Sequence, residues 1–222
     1  MTSNTELKHA LYHQVGKIGR ALGQETRLEI VEILAQSPRT VEAIAEALHA
    51  DIKSISAHLK VLHECGLVNV SRQGRCRRYA IACREVLELA VLLRKTAQKT
   101  QQRSLELFGQ ELPKPNRSSD AIGLDEALDM VQRDQMILID VRPPEEYEAG
   151  HIEHAVNIPL KNLEDYLQSQ PPLVSAAAYC RSPYCFLARE AQRIFAAHGR
   201  RLLVVEDGML DWKAGQSQKI VK

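Results

Sequence analysis

Cys180 is the residue whose setting best fits covalent chemistry. It directly follows the short apolar run Ala176-Ala-Ala-Tyr179, and the segment Arg181-Ser182-Pro183-Tyr184-Cys185 leads from it into a helix-forming stretch that begins at Phe186. A thiol between a buried strand and a helix N-terminus lies among backbone N–H groups and at the positive end of the helix dipole. Both stabilise a thiolate or a bound oxyanion. Arg181 adds a full positive charge. Taken alone, the same pattern also fits an inert cysteine buried at a strand end.

A second group of residues has the chemistry of polyanion binding. Residues 53–78 hold six basic side chains, Lys53, Lys60, Arg72, Arg75, Arg77 and Arg78, against the single acid Glu64. The stretch Thr40–Val68 reads as two short helices joined by a tight turn, and the second is rich in small polar and basic residues. Such a helix can enter the major groove of DNA while the first braces against the backbone. Lys53, Ser54, Ser56, His58 and Lys60 are the candidates for base or phosphate contact. Arg72, Arg75, Arg77 and Arg78 suit neighbouring phosphates or the minor groove. Cys76 lies among those arginines, which should lower its pKa and make it a candidate redox residue. Cys65, just before Gly66, reads as core.

The elements that must position these groups follow from periodicity and caps. Gln24–Ala35 has apolar residues at helical spacing and ends at Ser37-Pro38. Thr40 and Asp51 are plausible N-caps for helices to Ala50 and to Glu64. Leu67–Val70 and Arg78–Ile81 flank the polar segment Ser71–Arg75, which predicts a β-hairpin. From Cys83 to about Phe108 an apolar stripe (Val86, Leu89, Ala90, Leu93, Ala97) predicts a long helix. Gly109–Asp120, with Pro113, Pro115 and two serines, is the best linker candidate. Beyond it the pattern alternates: helix at Leu124–Arg133, strand at Met136–Ile139, strand at Ala176–Tyr179, helix at Phe186–His198, strand at Leu202–Val205. Strands separated by helices predict a mainly parallel sheet. The expected organisation is therefore a mainly α domain at 1–108, a linker at 109–120 and an α/β domain at 121–222.

Composition agrees. A chain with 45% hydrophobic and 26% charged residues folds rather than staying disordered. Residues 1–112 carry 16 Lys/Arg and 12 Asp/Glu, whereas residues 113–222 carry 13 and 16, so the basic character sits in the first domain. No apolar run is long enough to cross a bilayer and no basic-then-apolar leader opens the sequence, which predicts a cytoplasmic protein without a membrane partner. Five cysteines, an odd number, argue against a disulfide framework and for thiol chemistry or burial. His9 and His13 form an i, i+4 pair with no further ligand nearby in sequence, and no metal or cofactor is expected.

Residues 20–83 resemble the ArsR/SmtB family of winged helix-turn-helix repressors, through the pattern Ser56-x-His-Leu-Lys-x-Leu-x-x-x-Gly-Leu-Val68 and the basic wing after it. The resemblance implies a double-stranded DNA operator as partner and a homodimer built on the terminal helices, here the helix at 83–108. Metal-sensing members carry paired cysteines near the first helix of the DNA-binding pair; Thr40–Ala50 has none. Relatives that sense persulfides use one cysteine in the second helix, and residues 24–35 have none.

Residues 121–222 resemble a single rhodanese domain. Ile139-Asp-Val-Arg142, Glu146–Ile152 and His154–Pro159 match its opening signature, Tyr179–Cys185 its active loop, and Val205–Trp212 its closing stretch, with Asp207 where glycine is usual. The resemblance implies an α/β fold and a sulfurtransferase in which Cys180 attacks a sulfane-sulfur donor, such as thiosulfate or a persulfide, and carries the sulfur as a persulfide. It further implies that Arg181 attracts the anionic donor, that the amides of 181–185 hold the terminal sulfur, and that Asp140 and Arg142 brace the loop. Phosphatases sharing the fold need Cys-x5-Arg; six residues on from Cys180 stands Phe186, which removes the guanidinium that grips an oxyanion. Cys185 is expected to pack, with resolution of a persulfide as the alternative. Two functional expectations follow. One is a transcription regulator, most simply a repressor, whose second domain senses or transfers sulfane sulfur; the other is a working sulfurtransferase whose DNA-binding domain serves only autoregulation.

Overall fold

The computed structural model describes residues 4–74, 76–108, 120–169 and 175–215, with backbone only at 73 and 101–108. The expected linker, apart from Asp120, and Arg75 lie outside the described residues. The chain divides into two compact units, Met1–Ala90 and Val91–Lys222, and the division falls inside the long helix α5 (Arg84–Phe108).

The first unit runs α1 (Asn4–Leu22), α2 (Glu25–Gln36), α3 (Val41–Ala47), α4 (Ile52–Glu64), β1 (Val68–Gln73), β2 (Cys76–Ile81) and the start of α5. Three helices begin at side-chain caps. The Gln24 side-chain amide oxygen accepts from the Arg27 N–H at 2.9 Å, the Thr40 hydroxyl from Ala43 at 3.4 Å and the Asp51 carboxylate from Ser54 at 2.9 Å. Ile30, Ile44, Ile55, Leu59, Leu62 and Val68 are wholly buried in one core, each contributing roughly 1.5–3 kcal/mol by leaving water. Ile55, Leu59 and Leu62 at i, i+4 and i+7 pin one face of α4 inward. Gly66, at φ 71°, makes the left-handed turn that ends α4.

The hairpin departs from the sequence expectation. Its strands extend to Gln73 and from Cys76, so Arg72 and Arg77 lie on paired strands beside Arg78, which is on a strand as expected. Polar side chains on a solvent-facing hairpin look like a turn in sequence, although the backbone pairing continues through them. A bridge between Arg39 and Tyr79 ties the hairpin to the segment before α3.

The second unit has β3 (Ala121–Ile122), α6 (Leu124–Gln132), β4 (Ile137–Asp140), α7 (Pro144–Glu148), β5 (Val156–Asn157), a 3-10 turn at Leu160–Asn162, α8 (Leu163–Ser169), β6 (Ala176–Tyr179), α9 (Leu187–Ala197), β7 (Leu203–Val205) and α10 (Met209–Gly215). Its sheet has the order β3-β7-β6-β4-β5 and every described pairing is parallel. Both faces are covered. Ile139, Ala176, Ala178 and Val204 face a core with Leu163 and Phe195. Leu138, Ala177, Tyr179 and Val205 face another with Ala127 and Met209. That alternation is why β6 reads as a continuous apolar run. No described helix is long and apolar enough to cross a membrane.

Candidate functional site

Parallel strands deliver their C-terminal ends to one edge of a sheet, and the loops there form the crevice in which α/β proteins place their chemistry. Cys180 follows β6 at that edge and is 3% exposed. The loop from Cys180 to Phe186 curls back on itself: the Ser182 carbonyl accepts the Cys185 N–H at 3.0 Å and the Ser182 hydroxyl accepts the Tyr184 N–H at 3.2 Å. Cys180 and Cys185 are joined by a disulfide, with Cα atoms 6.2 Å apart. The expectation that Cys185 merely packs is therefore corrected. Spacing alone does not show that the loop closes into a turn tight enough to bring two thiols together. In this form the Tyr184 and Cys185 amides, two of those assigned to the terminal sulfur, donate to Ser182.

Two anchors hold the loop. The carbonyls of Cys180 and Arg181 accept the N–H groups of Met209 and Leu210, both at 2.9 Å, so the first turn of α10 grips the loop backbone. This contact requires glycine at 208. A Cβ there would lie 2.4 Å from Ser182 Cα and 2.5 Å from Ser182 N, and backbone atoms cannot yield. Gly208 thus meets the need for close approach in a closing stretch where Asp207 stands in place of the usual glycine.

The second anchor is ionic. The Arg181 guanidinium is held by Glu146, which is wholly buried in α7, with Nε–Oε2 2.9 Å and NH2–Oε1 2.7 Å. A buried carboxylate is costly without a charged partner, and this two-pronged pairing supplies one. The charge expected to attract a donor is thereby engaged in bracing the loop. Glu146 was visible in the sequence only as a member of a motif, because nothing in its own neighbourhood indicates a partner 35 residues away.

Behind the loop lies a closed polar network. Arg142 binds the Asp140 carboxylate through Nε at 3.0 Å and NH2 at 2.6 Å, and donates to the Gly150 carbonyl at 3.0 Å. The Tyr179 hydroxyl donates to Asp140 at 2.5 Å and accepts the Ile152 N–H at 3.1 Å. Asn157 donates to the carbonyls of Asp140 and Arg142, both at 3.0 Å. Burial, then the Asp140 carboxylate, pushes the Tyr179 hydroxyl pKa up, so it remains a donor. Burial alone would pull the Arg142 pKa down, but Asp140, Tyr179 and Glu146 outweigh it and hold it above the ordinary value. These residues fix the ends of β4 and β6 beneath Cys180; Tyr179 and Asn157 were not among the sequence candidates. Lys213 on α10 lies near this network. Burial, with the Arg142 charge beside it, lowers its pKa to about 8. Tyr184 and Phe186 are exposed at the loop rim.

In the first unit, Lys53, Ser54, Ser56 and Lys60 are exposed on α4 opposite the buried Ile55, Leu59 and Leu62, with His58 half-buried on the flank. Lys60 lies 3.8 Å from Glu64, a surface pair of at most about 1 kcal/mol that leaves it available. On the hairpin, Arg72 and Arg77 stand directly opposite each other and are both exposed. Opposed like charges repel across a ladder, and a polyanion against that face would relieve the cost. Arg78 is differently placed, its guanidinium donating to the Pro38 carbonyl at 2.6 Å. Cys76 is exposed at the start of β2, and Cys65 packs against the core as expected. A hydrogen bond with Glu85, then burial, pushes the Cys83 thiol pKa up, which disfavours it as a sulfur acceptor.

The surface of α1 adds a feature that the sequence reading missed. Leu7, Leu11 and Val15, at i, i+4 and i+8, are each more than half exposed, as is Tyr12. By contrast, Val86 and Ala90 of the expected α5 interface stripe are buried in their own unit's core, while Leu92 and Leu93 are exposed. His9 and His13 are exposed on α1.

Comparison with known proteins agrees with both halves of this description. Residues 24–70 match the model for the bacterial regulatory protein, arsR family, and residues 123–215 match that for the rhodanese-like domain. The chain is 38% identical over 213 residues, 96% of its length and 93% of the other's, to the HTH-type transcriptional regulator Rv0324 of Mycobacterium tuberculosis. It is 39% identical over 67 residues, 30% of its length and 50% of the other's, to the HTH-type transcriptional repressor SmtB of the same species. Among solved structures it is similar to the homodimeric winged helix-turn-helix DNA-binding domain (fragment 1–100) of Mb0332 from Mycobacterium bovis, with 38% identity, 45% of this chain and 92% of that one covered, and a TM-score of 0.41. The chain belongs to the ArsR family of bacterial transcription regulators and joins that family's winged helix-turn-helix to a C-terminal rhodanese-like domain.

Proposed function

We propose that this regulator senses sulfane sulfur: Cys180 takes sulfur from an anionic donor such as thiosulfate, or from a persulfide, and the loaded protein has altered affinity for a double-stranded DNA operator. The observation that carries this reading is the placement of Cys180 in a braced loop at the C-terminal edge of a parallel sheet, with a second thiol in reach. The operator is read by Lys53, Ser54, Ser56, His58 and Lys60 on α4, with Arg72, Arg77 and, by sequence, Arg75 on phosphate. Arg78 acts by holding the wing to Pro38 and adds its charge to the same surface. Glu146–Arg181 and Asp140–Arg142 serve by positioning. Cytoplasm, where DNA and reduced thiols meet, is the setting this reading requires.

A homodimer accompanies this function. The exposed row Leu7, Leu11, Tyr12 and Val15 has the spacing of a helix–helix seam, and Leu92 and Leu93 offer further apolar surface on α5. Sedimentation of the wild type should show two chains and of Leu11→Glu one; a wild-type monomer at tens of micromolar contradicts the proposal.

Sulfur uptake is tested by the sulfite released from thiosulfate, which reports the first transfer to Cys180 whatever follows. Cys180→Ser should release none and Cys185→Ser should still release it. Release by Cys180→Ser removes Cys180 from the chemistry. The second reading, a sulfurtransferase whose DNA-binding half only sets its own expression, uses the same residues and differs in predicting an operator affinity indifferent to sulfur.

A further inference from the structure

Two thiols meet at the loop, and the chemistry described above uses only one. We infer that Cys185 is a resolving thiol, so that the lasting product of sulfur uptake is the Cys180–Cys185 disulfide and free sulfide rather than a stored persulfide. The inference rests on the reading of Cys180 as the sulfur acceptor and extends it by naming the next step.

The geometry prepares the pair for this step. Their Cα atoms are 6.2 Å apart, inside the roughly 4.4–6.8 Å span that a disulfide bridges without moving backbone. Neither end is free to drift. The Cys180 carbonyl is held by the Met209 N–H at 2.9 Å and the Cys185 N–H is held by the Ser182 carbonyl at 3.0 Å. Gly208 admits the loop backbone so closely that a Cβ there would lie 2.4 Å from Ser182 Cα. A nucleophile fixed beside its target reacts at an effective concentration far above that of a thiol in solution. A persulfide on Cys180 therefore meets Cys185 before it meets an outside acceptor. The rest of the loop accords with this: the Tyr184 and Cys185 amides donate to Ser182, so this form spends on its own turn two N–H groups that a retained terminal sulfur would need.

The step balances without an outside oxidant. The Cys185 thiolate attacks Cys180 Sγ, a bond forms between the two Sγ atoms, and the bond from Cys180 Sγ to the outer sulfur breaks. The outer sulfur leaves with the electron pair and takes a proton as hydrosulfide. The two cysteine sulfurs are oxidised and the sulfane sulfur is reduced. A dithiol reductant resets the pair by thiol–disulfide exchange, attacking at Cys185, which is half-buried where Cys180 is buried. The loop so built reports sulfane sulfur as a two-electron redox state.

The test uses the full chain, reduced, freed of reductant under argon and given one equivalent of glutathione persulfide. Mass spectrometry of the alkylated protein is read together with released sulfide. The wild type should lose two hydrogens across the Cys180 and Cys185 peptides and release one equivalent of sulfide per chain. Cys185→Ser and Cys185→Ala should instead retain one extra sulfur atom on Cys180 and release none. A wild type that keeps the extra sulfur on Cys180 and releases no sulfide overturns the inference and leaves the Cys180 reading standing. Cys185 variants that never acquire sulfur on Cys180 overturn that reading itself.

Discussion

Replacing Arg181 by Met separates two roles for this residue, attraction of the donor and bracing of the loop. Glu146 is wholly buried and Arg181 gives it two charged hydrogen bonds, at 2.7 and 2.9 Å. Breaking a buried pair by removing one partner costs about 3–5 kcal/mol, most of it the desolvation of the charge left behind. Glu146 remains in the field of Arg142 and Lys213, which places the expected loss at the lower end, about 3 kcal/mol. With a urea dependence of about 2 kcal/mol/M, that is a midpoint lowered by about 1.5 M. The chain has a single tryptophan, Trp212 on α10, packed against the core of the second unit, so its fluorescence reports on this unit alone. Replacing both partners, Arg181→Met with Glu146→Leu, should recover most of the loss, because an apolar pair of similar volume is close to neutral. An Arg181→Met midpoint equal to the wild type, with sulfite release reduced, would refute the bracing role and return Arg181 to donor binding.

Three further outcomes are expected. Gly208→Ala should abolish sulfite release from thiosulfate while lowering the stability of the second unit, read by urea unfolding, by about 1–3 kcal/mol, the usual cost of overpacking; normal release would show that the loop has room to shift. Lys213 has its folded pKa lowered to about 8 from 10.5, so between those values the unfolded chain holds more protons and stability rises with pH. Lys213→Met should remove that rise and gain at most about 3 kcal/mol at pH 7, and an unchanged difference between variant and wild type from pH 7 to 10.5 contradicts it. Arg72→Ala with Arg77→Ala should reduce the slope of log affinity against log salt by about 2 for any duplex, whereas an unchanged slope in a mobility-shift series means the wing does not touch phosphate.

The parts of the fold legible in the sequence were those with local causes. Thr40 and Asp51 announce helices because a side-chain oxygen just before an apolar stripe satisfies orphan N–H groups, and both serve as caps here. Ala176–Tyr179 could be bounded because a small apolar run ends at a cysteine, and β6 has those limits. Two-residue strands such as β3 and β5 carry no period to detect, and the short helices α7, α8 and α10 were passed over for the same reason. The wing strands are longer than their sequence suggests because arginines on a solvent face imitate a turn. At the site, Cys180, Asp140 and Arg142 are identified through motifs; the roles of Glu146 and Gly208 depend on the meeting of distant segments, and the bond to Cys185, five residues from Cys180, depends on how tightly one loop closes, which spacing alone does not encode. The α1 row is available in the sequence, since Leu7, Leu11 and Val15 have simple helical spacing; the family resemblance directs the dimer expectation to the terminal helix α5 instead, and the core of the first unit uses the beginning of its stripe.

The central claim, that sulfur on the second unit's loop changes DNA binding by the first, is tested most directly by operator titration of reduced protein with and without inorganic polysulfide, for wild type and Cys180→Ser. The account predicts that polysulfide weakens wild-type binding by about 5- to 150-fold, the range of ordinary allosteric coupling, and leaves Cys180→Ser unaffected. A wild type whose affinity does not move, or a Cys180→Ser variant that responds as the wild type does, would contradict it.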